Sequence, residues 1–500
     1  MKDFISMNPN PVVQYLNKPA AEFTKQDLIR YIEDNDIEMV NFKYSAWDGR
    51  LKTLNFIIGS ISHLDNILTA GERVDGSSLF PFIEAGSSDL YVIPRYKTAF
   101  VDPFSEIPAL NILCSYYDRN GKPFDGAPEN ILKKAHQSFF DSTGFCFETM
   151  GELEYYIISR DEGLFQAEDQ KAYHESSPFS KWGDFRVEAM KLIAESGGMI
   201  KYGHSEVGNF TKNGLVYEQN EIEFLPTSVE DSADQLVKAK WIVRTLALQY
   251  GVTVTFAPKI TVGKAGSGLH IHTRIMKDGK SRMIENGVLS RTARTAIAGY
   301  MELAPSLTAF GNMNPTSYFR LVPHQEAPTN ICWGDRNRSV LVRVPLGWAT
   351  PTNMIKEVNP QEKGGLIDFS DKQTVEFRSP DGSADIYLLL AGLTVAARTG
   401  FEMDDAIEKA EKTYVDINIF DEGFKDKLDS LEHLPASCVE SASLLLDQKH
   451  FYTKDNVFPE VLIDMLSERL KNFKDEGLIF KIQDDDKKVM ELVDRHFNCG

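Results

Sequence analysis

The chain has 500 residues, which exceeds a single small domain and allows a large buried core, so two or three domains are expected. A formal net charge of −19 argues against a surface for nucleic acid or an anionic membrane. Five scattered cysteines without a CxxC pair indicate neither a disulfide framework nor a thiolate zinc site. With no signal-peptide core and no apolar run of the ~20 residues that a membrane span needs, a soluble cytoplasmic protein is expected.

The first predicted elements form a small α+β unit. Residues 24–37 show helical periodicity after an N-cap threonine, and two strand-like runs follow on either side of an Asp48-Gly49 turn. Further strands precede a segment rich in turn residues that leads into a new helix. The pattern predicts a small domain over residues 20–120 and a larger one over residues 121–500.

The larger region alternates strands with amphipathic helices. Residues 228–251 are predicted as a long helix that Gly251 ends, and the segment that begins at Ile386 is predicted as a second helix, buried on most sides. From about Asp405 onward the sequence is mostly helical and rich in charge. That last part indicates little about chemistry.

Four strand-like segments carry polar side chains two residues apart. Because strand side chains alternate, both members of a pair project from the same face. The pairs are Glu152 with Glu154, Glu221 with Glu223, His270 with His272, and Glu376 with Arg378. One such pair is usually the solvated face of a strand. If the four strands form one antiparallel sheet, however, the pairs meet in a cleft whose carboxylates and neutral imidazole suit Mg²⁺ or Mn²⁺.

A second group of side chains is rich in arginine and predicts an anionic ligand. It comprises Arg320, Arg336, Arg338 and Arg343, with Glu326 in the same stretch. Guanidinium groups suit carboxylate and phosphate oxygens, whereas the alternative is a rim of salt bridges. Metal ions together with arginines favour a phosphate ligand. The sequence has no P-loop and no GxGxxG turn, so ATP is expected to be held through metal ions and arginines.

Seven motifs, taken in order, resemble those of the type I glutamine synthetases. They are VDGSS at 74–78, GELEYY at 151–156, NEIEF at 220–224, GSGLHIH at 266–272, NPTSYFRLVPHQEAP at 314–328, DRNRSVLVRVP at 335–345 and VEFRSPD at 375–381. The resemblance implies an α+β protein: a small N-terminal β-grasp domain, then a large catalytic domain whose antiparallel sheet forms an active-site funnel. It also implies a homo-oligomer, a dodecamer of two hexameric rings, in which the neighbouring subunit completes each site.

The resemblance also implies roles for particular residues. One metal ion, nearer glutamate, would be held by Glu154, Glu206 and Glu221. The other, at the phosphates of ATP, would be held by Glu152, His270 and Glu376. Substrate glutamate would be bound by Arg320, Arg378 and the backbone of Gly266. The phosphates would contact His272, Arg336, Arg338 and Arg343, with Arg336 also catalytic. Ammonium would be bound or deprotonated by Glu326 on a flap, by Asp75 of the next subunit and by Tyr173.

The implied activity is ATP-dependent ligation of ammonia to the γ-carboxylate of glutamate through a γ-glutamyl phosphate. Two departures keep a ligase for an organic amine open as an alternative. Ser45 or Ala46 stands where the family usually has an aspartate four residues before the glycine matched to Gly49, and Ala265 replaces a common asparagine. An alternative of another class is a non-catalytic assembly or sensor protein. That alternative predicts lost metal ligands, whereas all six are present.

Overall fold

The computed structural model describes residues 5–83, 88–322, 327–347, 353–366, 368–416 and 430–500. The strands of these ranges are β1 Met39–Ser45, β2 Leu51–Ile57, β3 Glu72–Asp75, β4 Asp89–Pro94, β5 Phe100–Val101, β6 Ala109–Tyr117, β7 Cys146–Arg160, β8 Ile200–Lys212, β9 Leu215–Phe224, β10 Thr227–Ser228, β11 Thr253–Thr255, β12 Leu269–Lys277, β13 Lys280–Ser281, β14 Ile284–Glu285, β15 Val288–Leu289, β16 Trp333–Asp335, β17 Val342–Val344 and β18 Val375–Phe377.

The α-helices of the same ranges lie at both ends of the chain and between the strands. They are Pro11–Leu16, Lys25–Asp34, Ile61–Ala70, Pro128–Thr143, Gly183–Glu195, Val229–Tyr250, Arg291–Gly311, Ser317–Arg320, Met354–Val358, Ile386–Glu402, Ala406–Lys412, Cys438–Asp447, Lys449–Thr453, Glu460–Lys471, Leu478–Ile482 and Asp486–His496. Strands β1 to β6 all precede residue 120, and β7 to β18 all follow it.

The N-terminal sheet has the strand order β2-β1-β6-β4-β3, with β5 paired to β6. Strands β1 and β2 form the predicted hairpin, and Gly49 takes the positive φ of +74° that its turn requires. The predicted helix begins after Thr24, whose side chain makes a capping box with Asp27. Leu28 of that helix and Phe42 of β1 belong to one apolar core, so helix and sheet fold as one unit.

The larger sheet has the order β16-β17-β18-β12-β7-β9-β8, with β10 and β11 also paired to β7. Its pairs are antiparallel, except for the parallel pair of β16 and β17. The register places Glu152 opposite both Glu223 and His270, and Glu154 opposite Glu221. The predicted polar pairs therefore stand side by side across neighbouring strands.

Helices cover the other face of the larger sheet. The predicted helix Val229–Tyr250 begins at the Ser228 cap and ends at Gly251, whose φ is +66°. Its Leu236 lies against Gly151 of β7, where a side chain would meet the leucine methyl groups. Leu153, Tyr155 and Ile157 of β7 belong to the same apolar core, so the glutamates that alternate with them project from the opposite face.

The helix Ile386–Glu402 is buried on nearly all sides, as predicted. It packs closely against helix Arg291–Gly311, because a Cβ on Gly299 would lie 1.9 Å from the carbonyl oxygen of Ala396. Among the described residues no helix could cross a membrane by itself. One pair, Ile386–Glu402 with Ala406–Lys412, has the length and composition of a span only when its two helices are taken together, and it is bent by 111°.

Buried polar contacts join the N-terminal unit to the larger one. Arg95, at the end of β4, donates to both carboxylate oxygens of Asp234, at 2.7 and 2.9 Å. The hydroxyl of Tyr387 donates to the same carboxylate at 2.7 Å. Glu129, at the start of helix Pro128–Thr143, accepts from the backbone N–H of Tyr116 on β6 at 2.9 Å. These contacts fix the position of the small unit against the helices behind the larger sheet.

Candidate active site

A cavity of about 700 Å³ opens on the polar face of the larger sheet. Both members of each predicted polar pair line it, so their predicted convergence is confirmed. The lining residues from these pairs are Glu152, Glu154, Glu221, Glu223, His270, His272, Glu376 and Arg378. Other predicted site residues also line the cavity, namely Tyr173, Glu206, Gly266, Arg320, Arg338 and Arg343.

Glu152, His270 and Glu376 form a grouping of metal-ligand type. One ligand atom from each lies within 4.8 Å of the other two. The Nδ1 atom of His270 is 2.9 Å from Glu152 Oε2 and 3.5 Å from Glu376 Oε1. Carboxylate oxygens and an imidazole nitrogen fit Mg²⁺ or Mn²⁺. These are the three residues that the resemblance places at the phosphates of ATP.

A second grouping surrounds Glu221. Within the described ranges Glu221 groups with His204 and Glu223, again with ligand atoms within 4.8 Å of one another. His204 Nδ1 lies 3.7 Å from Glu206 Oε2, and His204 Nε2 lies 3.8 Å from Glu221 Oε1. The trio implied by the resemblance, Glu154, Glu206 and Glu221, thus shares one cavity, with His204 between two of its members.

The carboxylates of the cavity are crowded, and their pKa values reflect this. Burial, followed by repulsion from Glu152 and Glu154, raises the pKa of Glu221 well above its ordinary value. Burial also disfavours the charged form of Glu152, but His272 and His270 hold the pKa of Glu152 well below its ordinary value. Excess negative charge on Glu221 and its neighbours would be relieved by a bound cation.

The arginines lie directly beside the Glu152 grouping, because two of them contact Glu376 and Arg320 Nη2 lies 3.2 Å from His270 Nε2. Arg378 Nε donates to Glu376 Oε1 at 3.0 Å, and Arg343 Nη1 donates to Glu376 Oε2 at 2.9 Å. Arg320 Nη1 donates to the carbonyl of Ser379 at 2.8 Å. Backbone and carboxylate acceptors thereby fix the guanidinium groups, whose positive charge suits an anionic ligand.

Two predicted site residues among the described ones are not brought into this cavity. Arg336 is exposed outside its lining and has a φ of +57°. Asp75 caps the turn after β3, where its carboxylate accepts from the backbone N–H of Ser77 at 3.0 Å and from the hydroxyl of Ser78 at 2.6 Å. Glu326 lies outside the described residues.

The sequence patterns did not single out Gln219, which organises the site. Its fully buried amide donates to Glu154 Oε2 at 2.9 Å and to the carbonyl of Gly266 at 3.0 Å. The backbone N–H of Gly268 donates to the same Oε2 atom of Glu154 at 2.8 Å. Gln219, Glu221 and Glu223 alternate along β9, so extending the polar pair by one more step toward the N-terminus would have found Gln219.

Comparison with known proteins assigns the family. Residues 36–119 match the model of the glutamine synthetase beta-Grasp domain, and residues 125–474 match that of the glutamine synthetase catalytic domain. The chain belongs to the glutamine synthetase family. The predicted α+β class, with a small N-terminal β-grasp domain before a larger catalytic domain, is thereby confirmed. Membership in the glutamine synthetase family implies small-molecule substrates, ATP and a divalent metal ion, which the two groupings in the cavity fit.

Individual members of the glutamine synthetase family are similar over most of the chain. A glutamine synthetase of Methanococcus maripaludis is 30% identical over 448 residues, which cover 85% of this chain and 93% of that protein. The solved Plasmodium falciparum glutamine synthetase superposes with a TM-score of 0.73 at 22% identity, covering 92% and 96% of the two chains. A structure described as apo GmaS superposes with a TM-score of 0.71 at 20% identity, covering 91% and 96%. At these identities the structural likeness shows the fold.

Proposed function

We propose that the chain is a glutamate–ammonia ligase, which uses ATP to convert glutamate and ammonium into glutamine through a γ-glutamyl phosphate. One observation carries the proposal: two carboxylate–imidazole groupings and a cluster of fixed arginines line a single cavity. A γ-carboxylate is a poor electrophile. Phosphorylation turns one of its oxygens into a leaving group, and this transfer requires positive charge around the moving phosphoryl group.

The arginines would position both anionic substrates. Arg320 and Arg378 would bind the carboxylates of glutamate, beside the backbone of Gly266. Arg343, Arg338 and His272 would contact the phosphates of ATP. Because Glu376 accepts from both Arg343 and Arg378, it would fix one guanidinium group for each substrate. Arg336 is retained as a proposed phosphate contact, although it lies outside the cavity lining of the single chain.

The acidic residues would hold the divalent cations. Glu152, His270 and Glu376 would bind the ion at the phosphates, and Glu154, Glu206 and Glu221 would bind the ion nearer glutamate. Such ions would supply charge neutralisation at the phosphoryl group when bound. Gln219 and the backbone of Gly268 would keep Glu154 oriented for this task, since both donate to its Oε2 atom.

Ammonium must lose a proton before its nitrogen can attack the acyl phosphate. We assign this deprotonation to Glu326, and the binding of ammonium to Tyr173 and to Asp75 of a neighbouring subunit. Asp75 lies outside its own chain's cavity, which supports a site shared between subunits. A homo-oligomer, specifically a dodecamer of two hexameric rings, is therefore proposed. Light scattering of the purified protein tests the assembly, and a monomer would refute the shared site.

We place the protein in the cytoplasm, where ATP and glutamate are available. The five cysteines are free thiols in the structure, which fits a reducing compartment. Fractionation of cells that express the chain with a fluorescent tag tests this location, and recovery with the membrane pellet or the medium would contradict it.

The activity is tested by following phosphate release and glutamine formation from glutamate, ammonium and ATP with Mg²⁺ or Mn²⁺. The expected result is glutamine and phosphate in equal amounts, with both lost when glutamate or the metal ion is omitted. A non-catalytic family member predicts neither product. Phosphate release that does not depend on glutamate would indicate an ATPase and would also contradict the proposal.

A further inference from the structure

The helices Leu478–Ile482 and Asp486–His496 lie beyond residue 474, where the match to the catalytic-domain model ends. We refer to residues 478–497 as the C-terminal brace. Its apolar side chains occur at helical spacing and form one cluster, to which the brace contributes Leu478, Ile479, Ile482, Val489, Leu492, Val493 and Phe497. Phe319 of the catalytic domain belongs to the same cluster and is only 4% exposed. The brace is therefore packed onto the helix Ser317–Arg320.

Phe319 is the neighbour of Arg320, which is proposed to bind a carboxylate of glutamate. Both residues lie in the helix Ser317–Arg320, which has only four residues and is too short to be stable by itself. The position of this helix therefore depends on its packing. Phe319 contacts the brace, and the Arg320 guanidinium group donates to the carbonyl of Ser379 at 2.8 Å. A displacement of Phe319 would be transmitted to Arg320 through the backbone that they share.

A second contact of the brace leads to Gly266. Phe497 packs against another apolar cluster, which includes the fully buried Tyr156 of β7. The hydroxyl of Tyr156 donates to the carbonyl of Ala265 at 2.8 Å, and Ala265 and Gly266 both line the cavity. The hydroxyl of Thr255 donates to the carbonyl of Phe497 at 2.5 Å, which fixes the end of the brace on the larger sheet. The brace is thereby linked to a second residue that is proposed to bind glutamate.

We propose that the C-terminal brace positions Arg320 and Gly266 and thereby sets the affinity of the enzyme for glutamate. This inference rests on the proposed ligase function and adds positioning residues to it. Three of these are Phe319, Leu492 and Val493, which are buried outside the cavity lining. Their close packing holds Phe319 in one place, and that place decides where the guanidinium group of Arg320 enters the cavity. The affinity for ATP, which other residues are proposed to bind, should not depend on the brace.

Glutamate binding should be sensitive to this packing, because a guanidinium–carboxylate pair requires both a short distance and a suitable direction. Leu492→Ala would open a void in the cluster that contains Phe319. Neighbouring side chains shift into such a void but fill it only in part. A displacement on the order of 1 Å, transmitted to a binding group, is enough to weaken its contact with a substrate by tenfold or more.

The test measures phosphate release by the full chain with Mg²⁺ and ammonium, while either glutamate or ATP is varied. For Leu492→Ala we expect the KM for glutamate to rise about tenfold and the KM for ATP to stay within about twofold of wild type. A smaller fraction of folded protein lowers the rate per milligram but does not change KM. A merely structural role of the brace would therefore leave both KM values unchanged.

Two variants serve as controls. Leu492→Met keeps nearly the same apolar volume and should retain the wild-type KM for glutamate. Leu470→Ala is the matched control, because Leu470 is a fully buried leucine of the preceding helix, Glu460–Lys471, and belongs to the main core. It should lower the resistance to urea and leave the KM for glutamate unchanged. A rise in Leu470→Ala as large as that in Leu492→Ala would overturn the proposal.

Phe319→Leu approaches the same cluster from the catalytic domain and provides a second probe in case the Leu492→Ala protein does not fold. The leucine keeps part of the apolar contact, so the KM for glutamate should rise about three- to fivefold. Because both substitutions act on one cluster, the double variant should raise this KM by less than the product of the two single effects. A fully multiplicative effect would overturn the shared contact.

The remaining outcomes separate the brace from the ligase function. An unchanged KM for glutamate in folded Leu492→Ala or Phe319→Leu would overturn the brace, and so would equal rises in the KM values for glutamate and ATP. Either result would leave the ligase proposal standing, because the wild-type enzyme would still form glutamine. Wild-type protein without glutamate-dependent phosphate release would overturn both proposals.

Discussion

Replacing Glu376 by glutamine is the most direct test of the site. The substitution keeps the shape of a side chain that is 1% exposed, but it removes the charge that lies between Arg343 and Arg378 and one of the three ligands of the Glu152 grouping. The glutamine amide oxygen can still accept from a guanidinium group. Its NH₂ group, however, faces the other guanidinium group, so one of the two contacts is lost.

The expected loss in the free energy of unfolding follows from these contacts. Breaking a buried ion pair from one side costs about 3–5 kcal/mol, and we expect unfolding to become easier by about 2–3 kcal/mol because one hydrogen bond survives. We expect the substitution to affect catalysis more than it affects stability. Loss of a metal ligand and of the fixed arginine geometry should lower kcat/KM by at least about 1,000-fold, or roughly 4 kcal/mol of transition-state stabilisation.

The assay measures phosphate release with glutamate and ammonium, Mn²⁺ affinity by calorimetry, and unfolding by urea. Glu148→Gln is the matched control: Glu148 also lies on the larger sheet and pairs with an arginine, accepting from Arg274 Nε at 2.9 Å, but outside the cavity lining. It should lose some stability and retain its turnover and Mn²⁺ affinity. A Glu376→Gln enzyme that keeps more than about a tenth of the wild-type turnover or binds Mn²⁺ unchanged would refute the reasoning.

Three further predictions concern positioning, pH and metal ions. Gln219→Leu removes a contact that orients Glu154, so calorimetry should show Mn²⁺ affinity weakened by about tenfold; unaltered affinity would contradict the positioning role. Burial raises the pKa of Glu129 to about 7 from 4.5, so the protonated form is favoured in the folded state and stability falls as pH rises through this interval. Urea unfolding of Glu129→Gln should match wild type near pH 4.5 and gain up to about 3 kcal/mol at pH 8, whereas an equal effect at both pH values would argue otherwise. Saturating Mn²⁺, at about 100 times its Kd, should stabilise the wild-type fold by about 2.7 kcal/mol in a manner that EDTA reverses; a constant melting temperature would speak against the metal sites.

Much of the fold could be predicted because its elements have local causes. The helix Val229–Tyr250 begins at a serine cap and ends at a glycine, and both signals lie within the helix's own sequence. The β1–β2 hairpin likewise depends on an Asp48-Gly49 turn. The site was harder to predict. The role of Gln219 could not be predicted, because a glutamine on a strand looks like any other polar residue until its partner, Glu154, is known.

Other predicted site residues have roles that depend on parts of the protein far from them in the sequence. Asp75 could be a turn cap or a residue of the site, and within one chain it is seen as a cap, so any role at a neighbouring site stays a prediction. Tyr173 lies on an irregular loop, and its place in the cavity depends on the backbone of β8, which begins more than two dozen residues later. No periodicity of the loop itself could indicate that contact.

The sequence alone determined the direction of the side chains. Glu152 and Glu154 share one face of β7 because alternation is a property of extended backbone, whatever that strand pairs with. Only the tertiary structure decided which residues face them. His270 lies 118 residues beyond Glu152 along the chain, and their contact depends on strand order and register, which are set by packing of the whole sheet against its helices. Alternation along each strand thus sets which side chains share a face, and the packing of distant strands brings those faces together.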